Sequence, residues 1–456
     1  MALFVAVDFG STFTKAIAVD AGSGELIARA EHRTTIDTDV MDGWNACRTA
    51  LLAVDRAVAG AEVLACSSAG GGLRIGVVGN EELVTAEAGR RVALSSGGRV
   101  VAVVNGGLTA TSLKALRAER PDVVLLLGGT NGGNSAVLEN AAAVLAKYEW
   151  RRPVVAAGNI EAQVAIGESL AGAGVPHVFA ENVVPEIGVF APDSARDAIR
   201  EMFLEHVIGG KNLSRDPAFT RMVRAATPDV VLRGVEVLAS LHGDVAVVDI
   251  GGATTDVHSV IELDPEDANL GREVVATHPV TRTVEGDLGM RWSAVPVVAA
   301  GVEAGLVAED AALRSAATRR HEDPSYLPAD AVESSYDETL ARVAATIALR
   351  RHAGRQRVVF GPGGRVIERS GKDLREVDLL VGSGGVLRHN GPEVAARILG
   401  GVAVGAQEDG WLVPSNARTC VDSDYVLAGV GLLADLDPAA AKGLAARIHG
   451  TATGGH

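Results

Sequence analysis

VAVDFGSTFTKAIAVD, residues 5–20, reads as two apolar strands joined by a glycine turn. Asp8 ends the incoming strand, Gly10 lets the backbone turn tightly, and Ser11, Thr12 and Thr14 supply hydroxyls with Lys15 beside them. A second stretch, VAVVDIGGATTDVHSV at 245–260, repeats the pattern with Asp249, Gly251, Gly252, Thr254 and Thr255. Backbone N–H groups of a glycine turn cradle phosphate oxygens, hydroxyls add donors, and a carboxylate at a strand end can hold Mg²⁺ through water. Lys15 is one of six lysines in the chain and could neutralise charge on a transferred phosphoryl group. Either stretch alone also reads as a polar hairpin turn. Two of them, each between apolar strands, point to a triphosphate.

Working outward, the segments between and around these hairpins divide the 456 residues into unlike parts. Residues 1–60 read as the β-rich beginning of a first lobe. From 61 to 192, strand-like runs at 99–104, 122–128, 153–157 and 175–180 alternate with Ala-rich helical stretches near 109–118, 134–147 and 160–173. That alternation predicts a doubly wound α/β unit inserted in, or packed on, the first lobe. Residues 193–240 read as a helical connection opened by Asp193. Residues 241–435 form a second lobe with an Arg-rich helical region, a loop at 321–337 and a hairpin around Gly361–Gly364. Residues 436–456 read as a C-terminal helix and a disordered tail. The fold class expected is α/β, with duplicated lobes facing one another plus the α/β insert.

Composition narrows the partners. The chain is 47% hydrophobic, enough for substantial cores, and its 57 acidic and 42 basic residues give a net charge of −15. That charge repels a phosphate backbone and no basic stripe offsets it, so nucleic acid is not expected. No window is long and apolar enough for a membrane span, and no signal peptide is evident. Cys47, Cys66 and Cys420 lack metal or disulfide spacing, which suits a reduced, cytoplasmic setting.

The two hairpins resemble the phosphate-1 and phosphate-2 loops of the actin/Hsp70/sugar-kinase superfamily, a ribonuclease H-like architecture. The resemblance implies ATP and Mg²⁺ as ligands. It makes Asp8 and Asp249 the Mg²⁺-organising carboxylates, on opposite sides of a cleft, and puts Ser11, Thr12, Gly251, Gly252 and Thr254 around the phosphates. It also implies a late glycine loop for adenosine, and VDLLVGSGGVLRHN at 377–390 fits, with Gly382, Gly384 and Gly385.

Several stretches carry less. GGTNGGN at 128–134 reads as a tight βα turn or a second phosphate site. RTVEGDLGMR at 282–291 places Glu285, Asp287 and Arg291 in a short polar segment that reads on its own residues as a solvated loop. The Arg319/Arg320/His321 and Arg350/Arg351/His352 groups read as solvated cationic surface, and His258 as a packed histidine.

In order, CSSAGGGLR, LLGGTNGG, AAGN, DIGGATTDVHSV, RTVEGDLGMR and LVGSGG resemble the glutamate mutase L (MutL) family over about residues 4–435. This is not the mismatch-repair protein of that name. The resemblance turns RTVEGDLGMR into a functional segment, with Glu285 and Asp287 as candidate catalytic carboxylates beside Asp8, Lys15 and Asp249. It implies an ATPase chaperone or reactivating factor whose partners are subunits of an adenosylcobalamin-dependent mutase, with a homodimer possible. Two other activities stay open: a small-molecule kinase, which Lys15 favours, and an ATP-driven activator of a radical dehydratase.

Overall fold

β1 (Leu3–Phe9) and β2 (Phe13–Asp20) form where apolar residues run almost without interruption, and they pair antiparallel with Asp8 opposite Lys15. β3 (Leu26–Arg33) extends the meander, and the helix Val40–Val54 follows, capped by Asp39 accepting from the Met41 N–H. β4 (Glu62–Ser67) then returns parallel to β1. The computed structural model describes residues 2–263, 278–361, 364–406 and 409–449.

Next come β5 (Leu73–Val78), β6 (Gly98–Val104), β7 (Val123–Leu126), β8 (Val154–Ala156) and β9 (His177–Phe179), interleaved with helices. They form a wholly parallel sheet in the order β6-β5-β7-β8-β9, so the winding reverses between β5 and β7, as in doubly wound folds. The chain then re-enters the first sheet: β10 (Val223–Ala226) pairs parallel with β4, giving β10-β4-β1-β2-β3.

The second half repeats the first sheet. β11 (Val245–Ile250), β12 (Thr255–Val260) and β13 (Val280–Glu285) make an antiparallel meander. After three helices and the hairpin of β14 (Arg355–Gly361) with β15 (Gly364–Ser370), β16 (Leu379–Ser383) joins parallel to β11 and β17 (Arg418–Val421) parallel to β16. The order β13-β12-β11-β16-β17 matches β3-β2-β1-β4-β10 strand for strand. The duplicated α/β architecture with a doubly wound insert is therefore present.

Two compact units result. The first comprises Met1–Gly234, Val274–His278 and Ala428–Leu444, and the second Val235–Glu273, Pro279–Leu427 and Ala445–His456. In the first, Val5, Val7 and Phe9 share one core with Trp44 and Leu51 and with Ile75 and Val77 of the parallel sheet. Phe9 packs edge-on to Phe219 with centroids 5.0 Å apart. In the second, Val248, Ile250 and Val257 pack against Val297, Leu340 and Ala344. Each large side chain so buried contributes about 1.5–3 kcal/mol.

Some sequence expectations change. The loop expected at 321–337 is shorter, because one helix runs to Glu322 and the next begins at Ala331, where Asp330 accepts from the Glu333 N–H. The cationic groups are not all solvated: Arg320 is fully buried against Glu333 and Asp337, and His352 is buried between Ser259 and Thr283. The tail at 450–456 lies outside the described residues.

Candidate functional site

In the first unit, Asp8 is 4% exposed at the end of β1. Its Oδ1 accepts from Thr227 Oγ1 at 2.5 Å and from Cys66 Sγ at 3.5 Å. Burial, reinforced by the charge of Asp8, pushes the Cys66 thiol well above its ordinary range, so it remains a neutral donor. The Gly10 N–H closes the turn onto the Phe13 carbonyl at 3.1 Å, and a Cβ at Gly10 would stand 2.6 Å from that oxygen. Ser11 and Thr12 are exposed at the tip. Thr34 clamps the turn from behind: its Oγ1 donates to the Gly10 carbonyl at 2.8 Å and its N–H to the Thr12 carbonyl at 2.9 Å. Thr14 faces away from solvent, fully buried, with Oγ1 3.2 Å from Thr34 Oγ1. Lys15, half-buried, lies across the strand pair from Asp8.

The second unit holds the counterpart. Asp249 ends β11 half-buried, with Asp256 opposite it on β12 and Ser383 beside it on β16. The Gly251 N–H closes onto the Thr254 carbonyl at 2.9 Å, which a Cβ at Gly251 would also approach to 2.9 Å. Gly252 is exposed, and Thr254 Oγ1 donates to Asp256 Oδ2 at 3.3 Å. Arg282 donates to Asp256 Oδ1 at 2.6 Å from a site only 6% exposed. Thr255 is fully buried and donates to the Leu288 carbonyl at 2.8 Å.

Residues 285–293 are the bed on which this loop lies. The Met290 N–H donates to the Gly251 carbonyl at 2.9 Å, the Arg291 N–H to that of Gly252 at 2.7 Å, and Ser293 Oγ to that of Ala253 at 2.7 Å. A Cβ at Gly289 would stand 2.5 Å from the Ala253 carbonyl carbon, so glycine alone permits the contact. Glu285 and Asp287 are both held by Arg351, at 2.7 Å to each carboxylate through Nη1 and 2.9 Å from Nη2 to the second oxygen of Asp287. Hydrogen bonding to Arg351 holds the Asp287 carboxyl below its ordinary range.

The glycine loop after β16 is shaped by its neighbours. Gly384 has φ +103°, and a Cβ there would stand 2.2 Å from the Ile250 carbonyl. A Cβ at Gly382 would meet Leu387 at 2.6 Å, whereas one at Gly385 meets nothing nearer than His389 at 3.9 Å. Gly382 and Gly384 thus serve close packing, and Gly385 borders open space.

Sequence reasoning passed over Thr34, Thr227 and Ser293. Thr34 carries no motif, and Thr227 stands 219 residues from Asp8, too far for any local pattern to pair them. Ser293 follows RTVEGDLGMR by two positions, and a hydroxyl there was the available signal.

A family model described as MutL protein matches residues 4–448. The chain belongs to the MutL family. Protein MutL of Clostridium tetanomorphum is 34% identical over 450 residues, covering 95% of this chain and 96% of that relative. The family is the one the motifs resemble, glutamate mutase L. Among solved structures, nucleotide-free acetone carboxylase is similar at 15% identity and a TM-score of 0.42, covering 95% of this chain and 70% of that one. The activator of 2-hydroxyisocaproyl-CoA dehydratase from Clostridium difficile, with bound ADPNP, is similar at 9% identity and a TM-score of 0.29, covering 98% and 96%. Among the described residues of this MutL-family chain, no helix is long and apolar enough to cross a membrane.

Proposed function

We propose that the chain binds ATP with Mg²⁺ and acts as an ATP-hydrolysing reactivating factor for an adenosylcobalamin-dependent mutase of the glutamate mutase type. The observation that carries the nucleotide reading is the recurrence, in both units, of one hairpin. A strand-ending aspartate, a glycine facing a backbone oxygen, solvent-facing donors and a buried threonine recur at the same spacing.

The residues fit the ligand. The exposed Ser11, Thr12 and Gly252 present hydroxyl and backbone donors of the kind that phosphate oxygens accept from, while Gly251, its N–H given to the Thr254 carbonyl, shapes the turn, and Thr254 would have to turn its hydroxyl from Asp256 to join them. In each unit the strand-ending carboxylate, Asp8 in the first and Asp249 in the second, is of the kind that would hold Mg²⁺ through water, since this ion is bound by one or two carboxylates together with phosphates. Lys15 supplies positive charge beside Asp8, and Gly385 leaves room for adenosine. Thr14 and Thr255 are inaccessible and act through the loops they brace. ATP, when bound, supplies the free energy that differs between the conformations on either side of hydrolysis.

Support for a mutase partner comes from membership of the glutamate mutase L family. The test is phosphate release from Mg-ATP by the purified chain, with and without purified mutase subunits. Stimulation by the subunits is expected, together with loss of binding and turnover in Asp249→Ala. Failure to bind ATP in calorimetry would end the nucleotide reading, while turnover stimulated by a single metabolite instead of the subunits would favour a kinase, the reading suggested by Lys15 opposite Asp8.

A further inference from the structure

Arg291 is fixed beside the second loop by its backbone yet loosely held by its side chain. Its N–H donates to the Gly252 carbonyl at 2.7 Å, and its Cβ and Cγ lie 3.7 and 3.8 Å from the position a Gly252 Cβ would take. The guanidinium donates through Nη1 to the Met290 carbonyl at 2.8 Å. Its contacts with Asp337 are stretched, 3.5 Å from Nη1 and 3.4 Å from Nη2, at the outer limit of a hydrogen bond.

Asp337 is already committed elsewhere. Arg320, fully buried, donates to the same Asp337 Oδ1 at 2.6 Å and to Glu333 at 3.0 Å, and Arg319 also engages Glu333. Three arginines therefore share two carboxylates, and Arg291 has the longest bonds of the three. The exposed Asp323 feels Arg291 through its field, and its Oδ1 accepts from both the N–H and the hydroxyl of Ser325. The Arg291 side chain is 16% exposed, enough for an anion at the loop to reach it.

We propose that Arg291 is a phosphate-binding residue that exchanges its weak grip on Asp337 for the terminal phosphoryl oxygens of a nucleotide seated on Gly251–Thr254. This rests on the nucleotide reading of that loop. A guanidinium matches a phosphate with two parallel N–H donors, and such charge-assisted bonds are shorter and stronger than the stretched pair it would leave. Contact with the terminal group discriminates ATP from ADP, so the residue makes the loop selective for the triphosphate.

The test is the ratio of ADP to ATP dissociation constants, measured with Mg²⁺ by calorimetry on the full chain for the parent, Arg291→Ala and Arg291→Gln. The ratio is expected to fall about tenfold in both variants, the loss of one charged hydrogen-bonding partner. Arg291→Gln can still donate to the Met290 carbonyl, so it covers the case in which the alanine variant fails to fold. An arginine that only braces the loop would weaken ATP and ADP equally, and an unchanged ratio in Arg291→Gln overturns the proposal. A parent chain that binds neither nucleotide overturns the loop reading itself, whereas Asp249→Ala losing both nucleotides while the ratio survives Arg291→Gln overturns only the role of Arg291.

Discussion

Lys15 and Asp256 occupy the same point of two equivalent hairpins, each directly across the strand pair from the aspartate that ends the incoming strand. The first hairpin therefore pairs unlike charges across the strands, Asp8 with Lys15. The second sets Asp249 opposite another carboxylate. Like charges directly opposite are unfavourable, and the second hairpin answers with Arg282, donated to Asp256 from the neighbouring strand at 2.6 Å.

The two positions should therefore respond differently to truncation. Asp256→Ala removes the 2.6 Å carboxylate partner of the nearly buried Arg282 and is expected to cost about 2–4 kcal/mol, somewhat less than a fully buried broken pair because Asp256 keeps some water contact. Lys15→Ala is expected to change stability by less than about 1 kcal/mol and to weaken Mg-ATP binding. Urea unfolding and calorimetry on both variants check this, and the reverse ranking in stability would contradict it.

Thr255 ties the second loop to its bed with one hydroxyl. Thr255→Val keeps the shape but leaves the buried Leu288 carbonyl without that donor, at a cost of about 1–3 kcal/mol. Thr255→Ser should recover most of it. Thermal melts of the pair, with nucleotide affinity followed in parallel, measure how far the bed positions the loop.

Gly384 and Gly385 separate packing from ligand approach. Gly384→Ala meets the Ile250 carbonyl at 2.2 Å and a left-handed φ, so it is expected to lower the melting temperature sharply or prevent folding. Gly385→Ala has room, and its melting temperature should stay within a few degrees of the parent. If adenosine lies there, its ATP affinity falls all the same.

His258 and His352 make the second unit sensitive to acid. Burial pushes both imidazoles well below their ordinary range, helped at His258 by Arg282 and at His352 by Lys372 and then His258. The unfolded chain takes up protons near pH 6.5 that the folded chain refuses, so stability is complete above that pH and declines below it. The slope is at most about 1.4 kcal/mol per pH unit for each histidine. Urea midpoints measured from pH 8 to 5 should fall across the acid half of that range, and His352→Gln should flatten the fall.

The sheets were legible wherever a glycine turn separated two apolar runs, as at Gly10 and Gly251. They were obscure where pairing is remote. β5 hides behind the glycines at 70–72, and β10 sits in a helical stretch because its partner β4 lies far back in the chain. Buried charge was hidden for the same reason: Arg320 reads as surface until the next helix brings Glu333 and Asp337 to it. The segment 285–293 looks polar because its backbone carries the contacts, and side-chain character does not reveal which carbonyls an N–H will find. Thr14 and Thr255 were singled out as hydroxyls, and alternation alone does not tell which face of a short strand meets the core.

The doubly wound sheet between β4 and β10 also has a consequence for the chain during synthesis. β4 cannot receive its outer neighbour until about 150 further residues have been made, which at 5–20 residues per second takes roughly 8 to 30 seconds. Throughout that interval its free edge is a template for a stray strand. Emerging protein is thus most open to mispairing before Val223, and a pause or truncation there would release a four-stranded sheet with the β4 edge uncovered.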